Sequence, residues 1–144
     1  MGTDGSGFDK LIVQSGGARN IESNEKKLLM SGSDVFMFTL NMVPKCVDAL
    51  LVTANLNLNQ IDLFVFHQAS KLVIDNIIRR LELPEEKVFT NYQYIGNTVS
   101  ATIPIALSDA VQSNRLKNGD QVMLVGFGVG LSWGGCVVRW NSKD

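Results

Sequence analysis

His67, the single histidine of this 144-residue chain, closes the apolar run IDLFVFHQ just before a helix-like pattern begins. An imidazole can donate or accept a hydrogen bond, or move a proton near neutral pH. In open α/β sheets, ligands gather beyond the carboxyl ends of the strands, and His67 falls at such an end. A structural histidine that caps a helix or meets a buried carbonyl fits the same place, so position alone leaves both roles open. A second candidate lies in YIGNTVSATIPIAL, where Gly96 permits a tight turn and Asn97 sets an amide at the entrance to a helix. The helix N-terminus adds positive potential there, and an anion could be held. Ordinary turn and capping chemistry uses the same residues.

The third candidate is GFGVGLSWGG. Gly126, Gly128 and Gly130 lack the further glycine spacing of a dinucleotide loop, and a strand follows where that loop requires a helix. GLSWG also fits the nucleophile elbow of α/β-hydrolases around Ser132, with His67 as its partner. That fold requires a helix after the serine and a histidine last in chain order, whereas His67 comes first.

These residues need elements to hold them. DKLIVQSGGARN reads as a short buried strand ending at Gly16 and Gly17. From Ser33 to about Leu56, apolar residues recur at helical spacing, with Asp34 near the start and Pro44 as an expected kink or break. IDLFVFHQ is a strand covered on both faces. The next helix has Leu72, Val73, Ile77, Ile78 and Leu81 as its inner face, Asp75 and Arg79 as an exposed pair, and Pro84 beyond its end. KVFTNY is a short strand, QYIGN a loop, and TVSATIPIALSDAVQSNRL a helix with Thr98 as N-cap and Pro104 as a second kink. QVMLVGFGVG and LSWGGCVVRW close the chain as a hairpin. This alternation predicts an α/β fold: one domain over residues 1–144, with a mixed, mostly parallel five-stranded sheet and helices on both faces.

The totals exclude several classes. With 45% hydrophobic and 19% charged residues the chain can bury a core, and 13 basic against 14 acidic side chains leave no basic stripe for nucleic acid. No apolar run approaches the roughly 20 residues that span a bilayer, and the N-terminus lacks a signal-peptide layout, so the expected place is the cytoplasm. MGTDGS fits a loose myristoylation pattern at Gly2, although such a start is more often a turn. Cys46 and Cys136 sit in apolar surroundings without partners at metal-ligand spacing, so buried free thiols and no metal are expected.

Taken together, FHQASK, YIGNTVSATIP and GFGVGLSWGGCVVRW, with SGGARN and MSGSDVFMF upstream, resemble the C-terminal half of β-ketoacyl-acyl carrier protein synthase III, of the thiolase superfamily. The resemblance runs from about Gly2 to Trp140 and implies a thiolase-like C-terminal domain. It implies a decarboxylating condensation of an acyl-CoA starter with malonyl-acyl carrier protein, with no cofactor. His67 and Asn97 match the pair that donates hydrogen bonds to the enolate oxygen. Phe127 matches the aromatic beside the reactive cysteine, and GFGVG the loop that helps hold the tetrahedral intermediate. Met30 and Gly32 match residues lining the pantetheine passage, and Ala69 belongs to the same substrate-facing set. The nucleophilic cysteine of that family lies in the N-terminal half, which implies a missing partner half, inactivity of this chain alone in condensation, and a homodimer in the full-length enzyme. Without that half the chain should expose apolar surface and self-associate.

The chain departs from the family pattern at three positions. Ser70 stands for the usual asparagine, Leu72 for an arginine that docks the carrier protein, and Val129 for a loop glycine. Lys71 supplies a point charge for docking instead of a guanidinium fork. A priming synthase of a specialised acyl or polyketide pathway, or a non-catalytic binding module of the same fold, would also accommodate these changes.

Overall fold

A computed structural model describes residues 1–16 and 27–141. In chain order its elements are β1 (Gly2–Thr3), β2 (Leu11–Val13), β3 (Leu28–Met30), α1 (Gly32–Ala54), β4 (Leu63–Phe66), α2 (Lys71–Leu81), α3 (Tyr92–Ile95), α4 (Thr102–Gln112), β5 (Gln121–Gly128) and β6 (Ser132–Arg139). The main sheet has the spatial order β1-β6-β5-β4. β4 runs parallel to β5, whereas β5 with β6 and β1 with β6 are antiparallel. KVFTNY contributes a fifth position through one parallel bridge, Phe64 to Val88.

The fold is α/β with a mixed sheet, as expected, but the sheet is not mostly parallel. Residues 129–131 turn β5 directly into β6, and so short a connection joins only antiparallel strands. The strand expected near residue 11 lies outside this sheet altogether. β2 instead pairs antiparallel with β3 as a separate ribbon, with Val13, Leu28, Leu29 and Met30 exposed and not buried. Only Leu11 and Ile12 of the ribbon are partly covered by the described residues. Gly16 adopts φ 89°, a conformation open to glycine, while the remainder of SGGARN lies outside the described residues.

β4 sits at the centre of the packing. Phe64 and Phe66 face Val43 and Val47 of α1 and Ile74 and Ile77 of α2, while Leu63 and Val65 face Ala106 and Ala110 of α4. Burial of each such side chain contributes about 1.5–3 kcal/mol before chain entropy is counted. The small alanines, four residues apart on one face, let α4 approach the sheet closely.

α1 continues through Pro44 as one helix, and Ser31 Oγ donates to Asp34 Oδ2 at 2.7 Å at its start. Contrary to the run-length expectation, α1 is by length and composition long and apolar enough to cross a membrane. Here it packs on the sheet through Phe38, Val43, Cys46 and Val47. On α2, Ile74 is buried and Leu72, expected inside, is exposed. Asp75 pairs with Lys71 at 2.7 Å instead of with Arg79, whose guanidinium reaches Asn76. Cys46 is buried, which pushes its thiol pKa up, but Cys136 is exposed. β1 covers only Ser132 and Trp133 of β6, leaving the strand beyond them without that neighbour.

Gly135 shows how tightly α1 lies on this hairpin. A Cβ there would collide with the Leu124 carbonyl oxygen and come within 2.8 Å of Leu50 Cδ1. Gly135→Ala should therefore cost about 1–3 kcal/mol, read as a lower urea midpoint with an unchanged slope; an unaltered midpoint would contradict this packing.

Candidate active site

The parallel pairing of β4 and β5 brings their carboxyl ends to one side of the sheet. The His67 N–H donates to the Val125 carbonyl at 2.9 Å, extending the ladder one residue past β4. The imidazole then lies edge-on to Phe127 of β5, with ring centres 5.3 Å apart and planes at 77°. Its Nδ1 is 2.7 Å from Thr102 Oγ1, at the start of α4. Burial lowers the His67 pKa and so favours the neutral ring.

Gln68, fully buried, fixes the strand end. Its Nε2 donates to the Phe66 carbonyl at 2.8 Å and the Phe89 carbonyl at 3.3 Å, and its Oε1 accepts the Asn91 N–H at 3.1 Å. Asn91 Nδ2 in turn donates to Asp109 Oδ2 of α4 at 2.7 Å. Sequence reasoning passed over Gln68; the available signal was a polar amide immediately after a continuously apolar strand. At the following turn Ala69 N–H donates to the His67 carbonyl at 2.9 Å, and Ser70 caps α2 by accepting the Val73 N–H at 3.3 Å.

Asn97 follows Gly96, which takes φ 66°. The Asn97 Oδ1 accepts the Val99 N–H at 2.8 Å, so its Nδ2 hydrogens are left for an acceptor outside the turn. Val99 itself adopts φ 57°, a left-handed conformation costing about 1–3 kcal/mol for a β-branched residue. Its carbonyl accepts the Thr102 N–H and lies 3.0 Å from Thr102 Oγ1. The Val99 backbone thus ties Asn97 on one side to Thr102, and through it to His67, on the other.

α4 begins at Thr102, after one 3-10 turn over Val99–Ala101, and ends at Gln112. Thr98 does not act as its N-cap, and the Thr98 hydroxyl is buried without a partner among the described residues. Pro104 falls in the first turn of α4, where the missing N–H breaks no helical bond. The loop expected at QYIGN contains the single helical turn α3.

The other expected site residues are scattered more widely. Val129 is 61% exposed in the β5–β6 turn, where its carbonyl accepts the Ser132 hydroxyl at 2.5 Å. A strand follows Ser132, so no hydrolase elbow forms and no phosphate loop accompanies these glycines. Met30 ends β3 and is exposed, and Gly32 opens α1. Lys71, exposed on α2, is held charged by its hydrogen bond to Asp75, which raises its pKa. A cleft of about 460 Å³ lies beside it, lined by Lys71, Asp75, Arg79, Glu85 and Tyr92 but not by His67.

Residues 51–140, holding His67, Asn97 and the β5–β6 hairpin, match the family described as 3-oxoacyl-[acyl-carrier-protein (ACP)] synthase III C terminal. The chain belongs to this family. Among curated relatives of the synthase III family, the β-ketoacyl-[acyl-carrier-protein] synthase III of Clostridioides difficile is 43% identical over 147 residues, covering 98% of this chain and 45% of that protein. The enzyme of the same name from Microcystis aeruginosa is 43% identical over 125 residues, covering 87% of this chain and 38% of its own length. A crystal structure of a 3-oxoacyl-(acyl-carrier-protein) synthase III superposes with a TM-score of 0.93 at 37% identity, over 96% of this chain and 46% of that one. The Thermus thermophilus synthase III gives 0.89 at 38% identity, over 99% and 45%. The chain therefore spans less than half the length of these synthase III relatives, and the thiolase-like fold expected from the motifs is the one observed.

The burial of His67 has a measurable consequence. Its folded pKa lies below the ordinary value of 6.5, so the unfolded chain binds the proton more readily. The corresponding stability is whole above that value and is lost as the pH falls through it toward the folded pKa. Urea unfolding between about pH 7 and pH 5.5 should show stability falling with acidity. Because the chain has no other histidine, His67→Gln should flatten that slope; an equal slope in the variant would refute the assignment.

Proposed function

We propose that this chain is the C-terminal half of a 3-oxoacyl-acyl carrier protein synthase III, working with an N-terminal half that carries the nucleophilic cysteine. The observation that supports the reading is a half-buried imidazole at the end of β4, tied through Thr102 and the Val99 backbone to an amide whose oxygen is already engaged by the Val99 N–H. Both can offer N–H groups. Neither places a full charge there.

The proposed reaction uses those donors on a malonyl thioester. Loss of carbon dioxide leaves an electron pair on carbon, delocalised onto the thioester oxygen as an enolate. N–H donors from His67 and Asn97 stabilise that oxygen without protonating the carbon that must attack. The enolate carbon then forms a bond to the carbonyl carbon of the cysteine-bound starter acyl group, and the thiolate leaves. Decarboxylation supplies the carbanion, so the two thioester substrates, acyl-CoA and malonyl-acyl carrier protein, suffice without a cofactor. Phe127 walls the reacting groups, the backbone around Val129 serves the tetrahedral intermediate, and Ala69, Met30 and Gly32 border the pantetheine path. Lys71 is the proposed, weak carrier-protein contact.

Neither cysteine here replaces the nucleophile, since Cys46 lies inside α1 with its thiol pKa raised and Cys136 lies in β6. The exposed apolar ribbon of Val13, Leu28, Leu29 and Met30 supports a surface that the other half covers in the proposed homodimeric enzyme. Leu72, exposed where the family places a docking arginine, favours a second reading as a priming synthase of a specialised pathway.

Supplied with its N-terminal half, the protein should condense acyl-CoA with malonyl-acyl carrier protein. His67→Ala and Asn97→Ala should each reduce kcat by about 10²–10³-fold, the cost of one lost oxyanion donor. A folded, complete enzyme that condenses equally well without either residue would remove the proposal.

A further inference from the structure

The neutral imidazole can carry its hydrogen on either ring nitrogen, and only one arrangement leaves a donor facing the substrate. Resting on the donor role given to His67 above, we propose that Thr102 is a positioning residue whose hydroxyl donates to Nδ1 and so holds His67 as the Nε2–H tautomer.

Thr102 Oγ1 has one hydrogen and two neighbours that could take it: His67 Nδ1 at 2.7 Å and the Val99 carbonyl at 3.0 Å. Hydroxyl donors sit closest at about 2.7–2.8 Å, whereas N–H donors sit at about 2.9–3.0 Å. The contact to Nδ1 therefore has the length of a hydroxyl donor, and the contact to Val99 is long for one. The Val99 carbonyl also has no need of that hydrogen, because it already accepts the Thr102 backbone N–H.

The surroundings leave few substitutes for this bond. Thr102 is 1% exposed, so bulk water does not reach its hydroxyl. The His67 backbone is fixed by its ladder bond to Val125, and the ring lies edge-on to Phe127 with Nδ1 turned toward Thr102 at the start of α4. In the reverse arrangement, with Nδ1–H donating to Oγ1 and the hydroxyl to Val99, Nε2 is bare. A bare nitrogen could accept a proton but could not donate to an enolate oxygen.

The single histidine makes the test unambiguous. In the ¹⁵N-labelled chain, at a pH where the ring is neutral, we expect Nε2 to show the shift and one-bond coupling of a protonated nitrogen and Nδ1 the shift of an unprotonated one. Thr102→Val, which keeps the shape and removes the donor, should move both signals toward the tautomer mixture of free imidazole, and Thr102→Ser should restore the original pattern. A hydrogen found on Nδ1 in the unaltered chain, or a Thr102→Val spectrum like that of the unaltered chain, overturns the proposal. Should Thr102→Val fail to fold, Thr102→Ala, which also lacks the hydroxyl, is read in the same way and decides it. The readout is independent of turnover: the tautomer can stand while the condensation assay fails, and a condensing enzyme whose Nε2 stays fully protonated in Thr102→Val would sink the Thr102 role alone.

Discussion

Everything in this chain is arranged around the need to satisfy the backbone of β4. A strand buried on both faces has no water to bond with, so each N–H and C=O must find a protein partner at its edges. β5 supplies one edge, and the bridge at Val88 with the Phe89 N–H supplies part of the other. The side chains then sort themselves by alternation, Phe64 and Phe66 toward α1 and α2, Leu63 and Val65 toward α4. The ladder does not stop with the strand. Its next rung is the His67 N–H, so the position of the imidazole follows from the pairing that stabilises the core.

Beyond that rung, order comes from side chains acting in place of a sheet. Gln68 joins segments 21 and 23 residues apart, and Asn91 extends the connection to Asp109 on α4. Val99 shows the opposite face of the same economy. Its left-handed backbone is unfavourable in isolation, and it persists because its N–H and C=O are both engaged, by Asn97 and Thr102. Strain in one peptide is the means by which two polar side chains are aimed. Next to His67 the network is made of amides, a hydroxyl and a neutral ring, which burial penalises less than charges, and its one carboxylate, Asp109, lies at the far end on α4.

Much of this was legible in the amino acids. His67 could be placed at a strand end because IDLFVFHQ is too continuously apolar to be anything but a doubly covered strand, and the motifs around Asn97 and Phe127 carried the family resemblance. What could not be read was local competition among neighbours. Asp75 had cations at both Lys71 and Arg79, and only side-chain geometry selects Lys71. Leu72 and Ile74 both fit a helical apolar stripe until the direction of the sheet is known. Cys136 reads as buried from its apolar neighbours, but a strand so thinly flanked has an open face. The ribbon of β2 and β3 has the composition of a core strand, and its exposure is a matter of tertiary placement that composition does not encode. Thr102 gave little signal, being one small polar residue in TVSATIP whose importance arises from a ring 35 residues away.

Gln68 has one more implication, which concerns chemical ageing more than folding. Its amide is the only terminal group of that size that offers donors to two carbonyls and an acceptor to an N–H at once. Hydrolysis to a carboxylate, a change of a single atom type, would set oxygen against the carbonyl oxygens of Phe66 and Phe89. Complete burial withholds from that amide the water such hydrolysis consumes. The burial that orders the end of β4 thus also withholds water from the amide beside His67.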